Sequence, residues 1–341
     1  MQSIYKEKKW HSNFIWITFM VFVWYGIISG VFMEVCESFI RQFVPRGSDA
    51  VEFIREYYTT TIYSVITLYI LCWMYDRNRY IWGSFLPPRR RRGSDQGAAL
   101  SLNDFSEELY GRSNNTLKML MWGLLLGFIT NFFCILIALL HGDVKFYFDA
   151  SVSQIVIFIF AFVSTFIQSS SEEMWCRGFM YERLNERYPL WVAILVNGVF
   201  FGLLHAGNPS VTVLSIVGIC VTGISYSLLR WYTGNIWIAM GIHTGWNFTQ
   251  NFIFGLPNSG LVSSLSIFHL DAVNGVSNIF YDYGFGVEGA YPAVFIDALL
   301  GVICVLLAKR NGRLGELADC RNNAYERYIA GGDSANEQND N

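Results

Sequence analysis

Glu172, Glu173, Arg177, His205, His243 and Asn247 are polar or ionisable side chains set among strongly apolar runs of the chain. An ionisable group at membrane depth is costly, so it marks function by default. A carboxylate paired with a histidine can take a proton from water, and a His followed one helical turn later by an Asn can donate to a developing oxyanion. Together these types point to hydrolysis of a carbonyl compound. Neighbours on a helix point about 100° apart, so Glu172 and Glu173 are not expected to face one point. Glu173 stands one turn before Arg177, the favoured order for an ion pair at i, i+4, and is expected to neutralise it. Glu172 shares a stripe with Thr165, Gln168, Ser169 and Cys176, which is expected to line a wet cavity. That makes Glu172 the expected water-activating base, with His205 sharing its proton. His243 and Asn247 lie on one face, and Phe201 lies one turn before His205 and is expected to pack on it.

Such residues need elements that bring them to one depth. The chain has 341 residues, 53% hydrophobic and only 15% charged, below the quarter or so usual for a soluble domain. The segments Tyr188 to Leu229 and Trp231 to Leu270 contain no Asp, Glu, Lys or Arg. Apolar runs near the roughly 20 residues that cross hydrocarbon occur at about 12–34, 57–75, 117–140, 152–172, 190–206, 211–230, 235–254 and 291–309. The expected fold is an all-α polytopic membrane protein of about eight transmembrane helices around an intramembrane catalytic cavity. The first run, with Lys6, Lys8 and Lys9 ahead of it, reads as a retained span rather than a signal peptide. The fourth run continues through amphipathic residues to Pro189, which predicts one long helix over about 152–185. A rise of about 1.5 Å per residue puts Glu172 about 20 Å from the cytoplasmic end of that helix, His205 about 24 Å along the fifth and His243 about 14 Å along the seventh. These depths overlap. Gly198xxxGly202, Gly241xxxGly245 and Gly123xxxGly127 are assigned to helix packing.

Charge sets the orientation. With a cytoplasmic N-terminus, nineteen of the 24 basic residues fall inside, including Arg89 to Arg92, Arg183, Arg187 and Arg230. Both termini are therefore expected in the cytoplasm and the segment of about 255–290 outside. The expected organisation is an N-terminal two-span region with a basic loop over 1–116, a six-span catalytic core over 117–309 and a polar tail over 310–341. The seven cysteines show no CxxC spacing and are expected to be packed thiols, with no disulfide and no metal. Nucleic acid is not an expected partner. The lipid bilayer is.

Taken in order, Glu172-Glu173-x-x-x-Arg177, Phe201-x-x-x-His205 and His243-x-x-x-Asn247 resemble the three signature motifs of the CAAX-protease and bacteriocin-processing family of intramembrane proteases. The resemblance spans residues 172 to 247. It implies that Glu172 and His205 activate water for peptide hydrolysis, that His243 and Asn247 stabilise the oxyanion, and that Glu173 and Arg177, with Phe201, organise the site. The substrate would be a peptide or protein, including membrane-anchored ones. Eukaryotic members trim the last three residues from prenylated CAAX proteins, whereas prokaryotic members act on other peptides or serve in bacteriocin self-immunity. No cofactor is expected. Zinc held by Glu172, His205 and His243 is the alternative, although the chain has no HExxH helix. A non-catalytic immunity protein and a transporter are the other rivals, and the absence of an internal repeat weighs against transport.

Overall fold

The computed structural model describes residues 14–28, 115–148, 155–263 and 266–319, with a few isolated positions between 31 and 66. The expected span over 57–75, the Arg89 to Arg92 run, Cys36, Cys72, Cys320 and the tail beyond 319 lie outside the described residues. The rest is mostly helical. Helix α1 is Phe14–Val21, continued by a π turn over Phe22–Ile28. Helix α2 (Leu117–His141) starts at Thr116, whose side chain accepts the Met119 N–H, and ends at Gly142 in the left-handed conformation. Helix α3 (Ile155–Glu173) passes into a π segment (Met174–Met180) and then α4 (Tyr181–Arg187), so the expected long helix exists with a wider turn in its middle. Helices α5 (Leu190–Leu204), α6 (Val213–Thr233), α7 (Trp237–Phe248) and α8 (Tyr291–Arg310) follow.

Among the described residues, α2, α6 and α8 are long and apolar enough to cross a membrane, and α5 is a shorter apolar helix. Large apolar side chains on α2 (Met121, Trp122, Leu125, Phe133) and α8 (Phe295, Leu299, Val302, Leu306) point outward. In water such faces would aggregate; in hydrocarbon they are at home. The all-α expectation needs one correction. Strands β1 (Val144–Phe148) and β2 (Phe268–Ala272) pair antiparallel, from Val144 opposite Ala272 to Phe148 opposite Phe268. Their aromatic and branched residues suit a short strand pair, which at five residues each is too short to produce a span-like signal in the sequence.

Two layers of glycine set how closely the helices approach. A Cβ on Gly123 would lie 2.3 Å from the Ile238 carbonyl oxygen, and one on Gly127 would lie 2.2 Å from that of Ile242. Reciprocally, a Cβ on Gly241 would lie 2.4 Å from the Leu120 oxygen, and one on Gly245 would lie 2.4 Å from that of Leu124. Helices α2 and α7 thus touch backbone to backbone, as expected of these motifs. Gly198 and Gly202 bring α5 against Ile224 and Cys220 of α6 in the same manner. The main apolar core joins Trp175, Phe179 and Leu184 to Phe200 and Phe201 of α5, Met240 of α7 and Ile17 and Val21 of α1.

These contacts generate a prediction. Gly127→Val should lower the melting temperature in detergent by several degrees, since overpacking typically costs about 1–3 kcal/mol. Gly207→Ala meets nothing within 4 Å and should melt like the wild type. Equal melting of both variants would show that α2 and α7 do not pack through their glycines.

Candidate active site

The π segment lies just beyond the two glutamates. Within it the Cys176 carbonyl accepts the Tyr181 N–H in the wider π pattern, and side chains from other helices add to the carbonyls of this segment. The Asn197 amide of α5 donates to the Cys176 carbonyl, and Ser227 of α6 donates to Asn197 Oδ1 at 3.1 Å. Arg230 of α6 donates to the Arg177 carbonyl and pairs with Glu182, both side chains being buried. Arg230, one of the basic residues expected on the cytoplasmic side, is buried in the protein against its counter-ion on α4.

The wide turn presents Glu173 and Arg177 to the core with no exposed surface on either side chain. Arg177 Nη1 donates to Glu173 Oε1 at 3.1 Å, as the spacing predicts. The guanidinium also lies over the Phe201 ring, 4.1 Å from its centre, and 5.7 Å from that of Tyr226. Such cation–π contacts compensate a desolvated charge that lacks a full set of acceptors, and neither Nε nor Nη2 of Arg177 has a hydrogen-bond partner. Phe201 therefore packs on Arg177 as well as on His205, whose ring is 4.9 Å away at a steep angle.

His243 joins the two glutamates. Its Nδ1 lies 3.0 Å from Glu173 Oε1, and its Nε2 lies 3.8 Å from Glu172 Oε2. The two carboxylates thus point to different nitrogens, as neighbours on a helix are expected to, and the imidazole spans the gap between them. Glu172 Oε1 also accepts a hydrogen bond from the Gln168 amide. The rest of the expected wet stripe behaves differently: Thr165 donates to the Ala161 carbonyl at 2.8 Å, and Cys176 is buried in the apolar core.

The cavity opens on the other side of His243. It has a volume of about 40 Å³, enough for a water or a few, and is lined by His205, His243 and Asn247 together with Phe201, Tyr226, Trp246 and Glu288 among others. His205 caps the end of α5 and its Nδ1 lies 2.9 Å from the Phe201 carbonyl oxygen. A carbonyl only accepts, so that nitrogen carries the proton and Nε2 is left as the basic site. Asn247 Oδ1 accepts from Asn258 Nδ2 at 3.3 Å. The second and third motifs therefore meet at one cavity, while Glu172 stands next to it behind His243. Among the described residues, no hydrogen bond joins Glu172 directly to His205, and no three His, Cys, Asp or Glu side chains form a group that could hold a metal ion.

The cavity wall also holds two acids outside the three motifs. Asp297 lies within α8 and accepts a hydrogen bond from Thr222. It is an ionisable group in an apolar run, so the reasoning applied to Glu172 would have found it. Glu288 lies outside any span, in the 3-10 turn Val287–Gly289, and nothing in its sequence context signals it. Desolvation pushes its carboxyl up to about 7, against the Ser259 and Trp246 hydrogen bonds and the nearby His243, which pull it down. Tyr226 and Trp246 read as ordinary aromatics in their runs.

The Glu173–Arg177 geometry predicts a stability signature. Glu173→Gln should destabilise the protein by roughly 3–5 kcal/mol, the usual cost of leaving one member of a buried pair. Adding Arg177→Met should restore much of the melting temperature and little of any activity, because a neutral amide would stand where the Glu173 carboxylate supports His243 Nδ1. A double variant less stable than the single one would refute the pairing.

Comparison with known proteins adds a family. Neither the curated proteins nor the solved structures contain a significant match to the chain. A family model described as type II CAAX prenyl endopeptidase Rce1-like matches residues 151–249, so the stretch that holds all three motifs is similar to the family that the motifs resemble.

Proposed function

We propose that the chain is an intramembrane endopeptidase that hydrolyses peptide bonds with a water activated by Glu172 and His205. The observation that carries this reading is the meeting of three distant motifs around His243 and one water-sized cavity. Glu172 takes the proton of the attacking water, and the His205 Nε2 shares it and delivers it to the leaving amine. His243 donates from Nε2 to the oxyanion when protonated. The Asn247 amide donates beside it. Glu173 and Arg177 hold His243 and Phe201 in place. A buried, hydrogen-bonded Nδ1 also suits the zinc-ligating alternative, so metal stripping is part of the test.

Substrates in this reading are peptides or proteins held at the bilayer, and the resemblance to CAAX endopeptidases nominates a farnesylated C-terminal peptide as the first probe. Both termini face the cytoplasm and the segment of about 255–290 faces the other side. This orientation rests on the basic residues, and labelling of Val276→Cys in a background free of native thiols tests it. Val276 is exposed and should react with an impermeant reagent from the non-cytoplasmic side alone; reaction from the cytoplasm alone would reverse the topology.

The decisive chemical test is Glu172→Gln. The amide keeps the shape and can still accept the Gln168 bond, so melting should remain within a degree or two of wild type. Cleavage of a quenched peptide ending in a farnesylated cysteine and three further residues should fall by roughly 10²–10⁴-fold. A variant that melts normally and cleaves normally would end the glutamate mechanism. Loss of activity on chelation that zinc alone restores would replace it with a metal one.

A further inference from the structure

Glu288 has no part in the hydrolysis just described, yet it lies on the same cavity wall as His243 and Asn247. Its carboxylate accepts the backbone N–H of Ser259, and the Ser259 hydroxyl and the Trp246 side chain also hydrogen-bond to it. Ser259 has a φ of +49°, a left-handed conformation uncommon outside glycine, so the turn needs an external hold. Gly260 and Gly286 supply close packing around it: a Cβ on either would lie within about 2 Å of the Pro209 or Pro257 carbonyl oxygen, at 2.1 and 2.0 Å.

The turn reaches the proposed oxyanion donor through one residue. Asn258 and Leu261 exchange backbone hydrogen bonds of 2.8 and 2.9 Å, which fixes the Asn258 backbone. From there Asn258 Nδ2 donates to Asn247 Oδ1 at 3.3 Å. A primary amide accepts through oxygen and donates through nitrogen, so engaging Oδ1 on Asn258 leaves the Asn247 NH2 as the group available to the cavity. The same turn also accepts from Asn208 Nδ2 at the Ser259 carbonyl, 3.0 Å, three residues beyond His205.

We propose that Glu288 is a positioning residue for Asn247: it anchors the Ser259 turn, and the turn, through Asn258, holds Asn247 with its amide nitrogen toward the reacting carbonyl. This rests on the reading of Asn247 as an oxyanion donor. Glu288 itself touches no reacting atom. Gln in its place can accept from only one oxygen, so its NH2 group would confront one of the three donors and loosen the turn.

The test uses the full chain in detergent, with the farnesylated quenched peptide as substrate. Glu288→Gln and Asn258→Ala should each lower kcat by roughly tenfold with KM nearly unchanged. In an Asn247→Ala background, neither should cost more than about twofold further, because the residues act through one another. Losses that multiply in the double variants would overturn the proposal. Hydrogen exchange offers a readout that needs no turnover: amides of Ser259, Gly260 and Leu261 should exchange faster in Glu288→Gln, and unchanged protection would refute the anchor. If Asn247→Ala leaves kcat intact, the oxyanion reading falls and the positioning role falls with it, whereas loss in Asn247→Ala alone with normal Glu288→Gln kinetics would remove only the role of Glu288.

Discussion

A guanidinium with no exposed surface must be compensated by its surroundings, and around Arg177 that requirement draws in every part of the site. One carboxylate, Glu173, supplies the opposite charge, and the faces of Phe201 and Tyr226 supply diffuse negative potential where hydrogen-bond acceptors are lacking. Those partners come from three different helices, so neutralising one charge fixes α5 and α6 against the π segment. The same Glu173 oxygen lies 3.0 Å from His243 Nδ1, which extends the constraint to α7. The organising charge and the chemistry-bearing ring therefore share one atom, and neither can shift without the other.

The π segment makes this sharing possible. Its Cys176 carbonyl serves two donors, the Tyr181 N–H within the segment and the Asn197 amide from α5. The wider turn offers the Cys176 and Arg177 carbonyls to α5 and α6, and Asn197, Ser227 and the Arg230–Glu182 pair answer from those helices and from α4. Each would be a costly buried polar group alone; as a connected set they fix the register of helices whose apolar faces would otherwise slide.

Much of this organisation is legible in the sequence because membranes simplify the code. Apolar runs mark helices, small residues at i and i+4 mark close approaches, and rare polar groups mark the site, which is why Glu173–Arg177 and the Gly123, Gly127, Gly241 and Gly245 layer follow from spacing alone. Convergence of His205, His243 and Asn247 on one cavity follows from depth. What stays hidden needs a partner from elsewhere in the chain. Whether Arg230 is a loop cation or a buried one depends on Glu182 lying opposite it. Glu172 and Glu173 appear divergent until the imidazole that spans them is in place. Glu288 sits in a turn whose neighbours in space, Ser259 and Trp246, lie far from it in sequence. Asp297 is the different case, an acid within an apolar run that the intramembrane rule already flags.

The segment between α7 and α8 carries the remaining step. Loop as well as helix borders the cavity: Ser259 and Glu288 line it, and around them pack Pro209 and Ser210 after α5, Pro257 to Gly260 after α7, and Gly284 to Glu288 before α8. They interlock without room for a Cβ, Gly260 against Pro209, Gly284 against Ser210 and Gly286 against Pro257, and Gln250 of the π turn after α7 donates to the Pro257 carbonyl. Helices fixed by Arg177 from one side are thus fixed by packed backbone from the other. Side chains that must act on a substrate sit between two rigid supports, the condition under which hydrogen-bond donors can be aimed before the substrate arrives rather than reorganised by it. The cavity of about 40 Å³ between them has room for a water but not for a stretch of peptide.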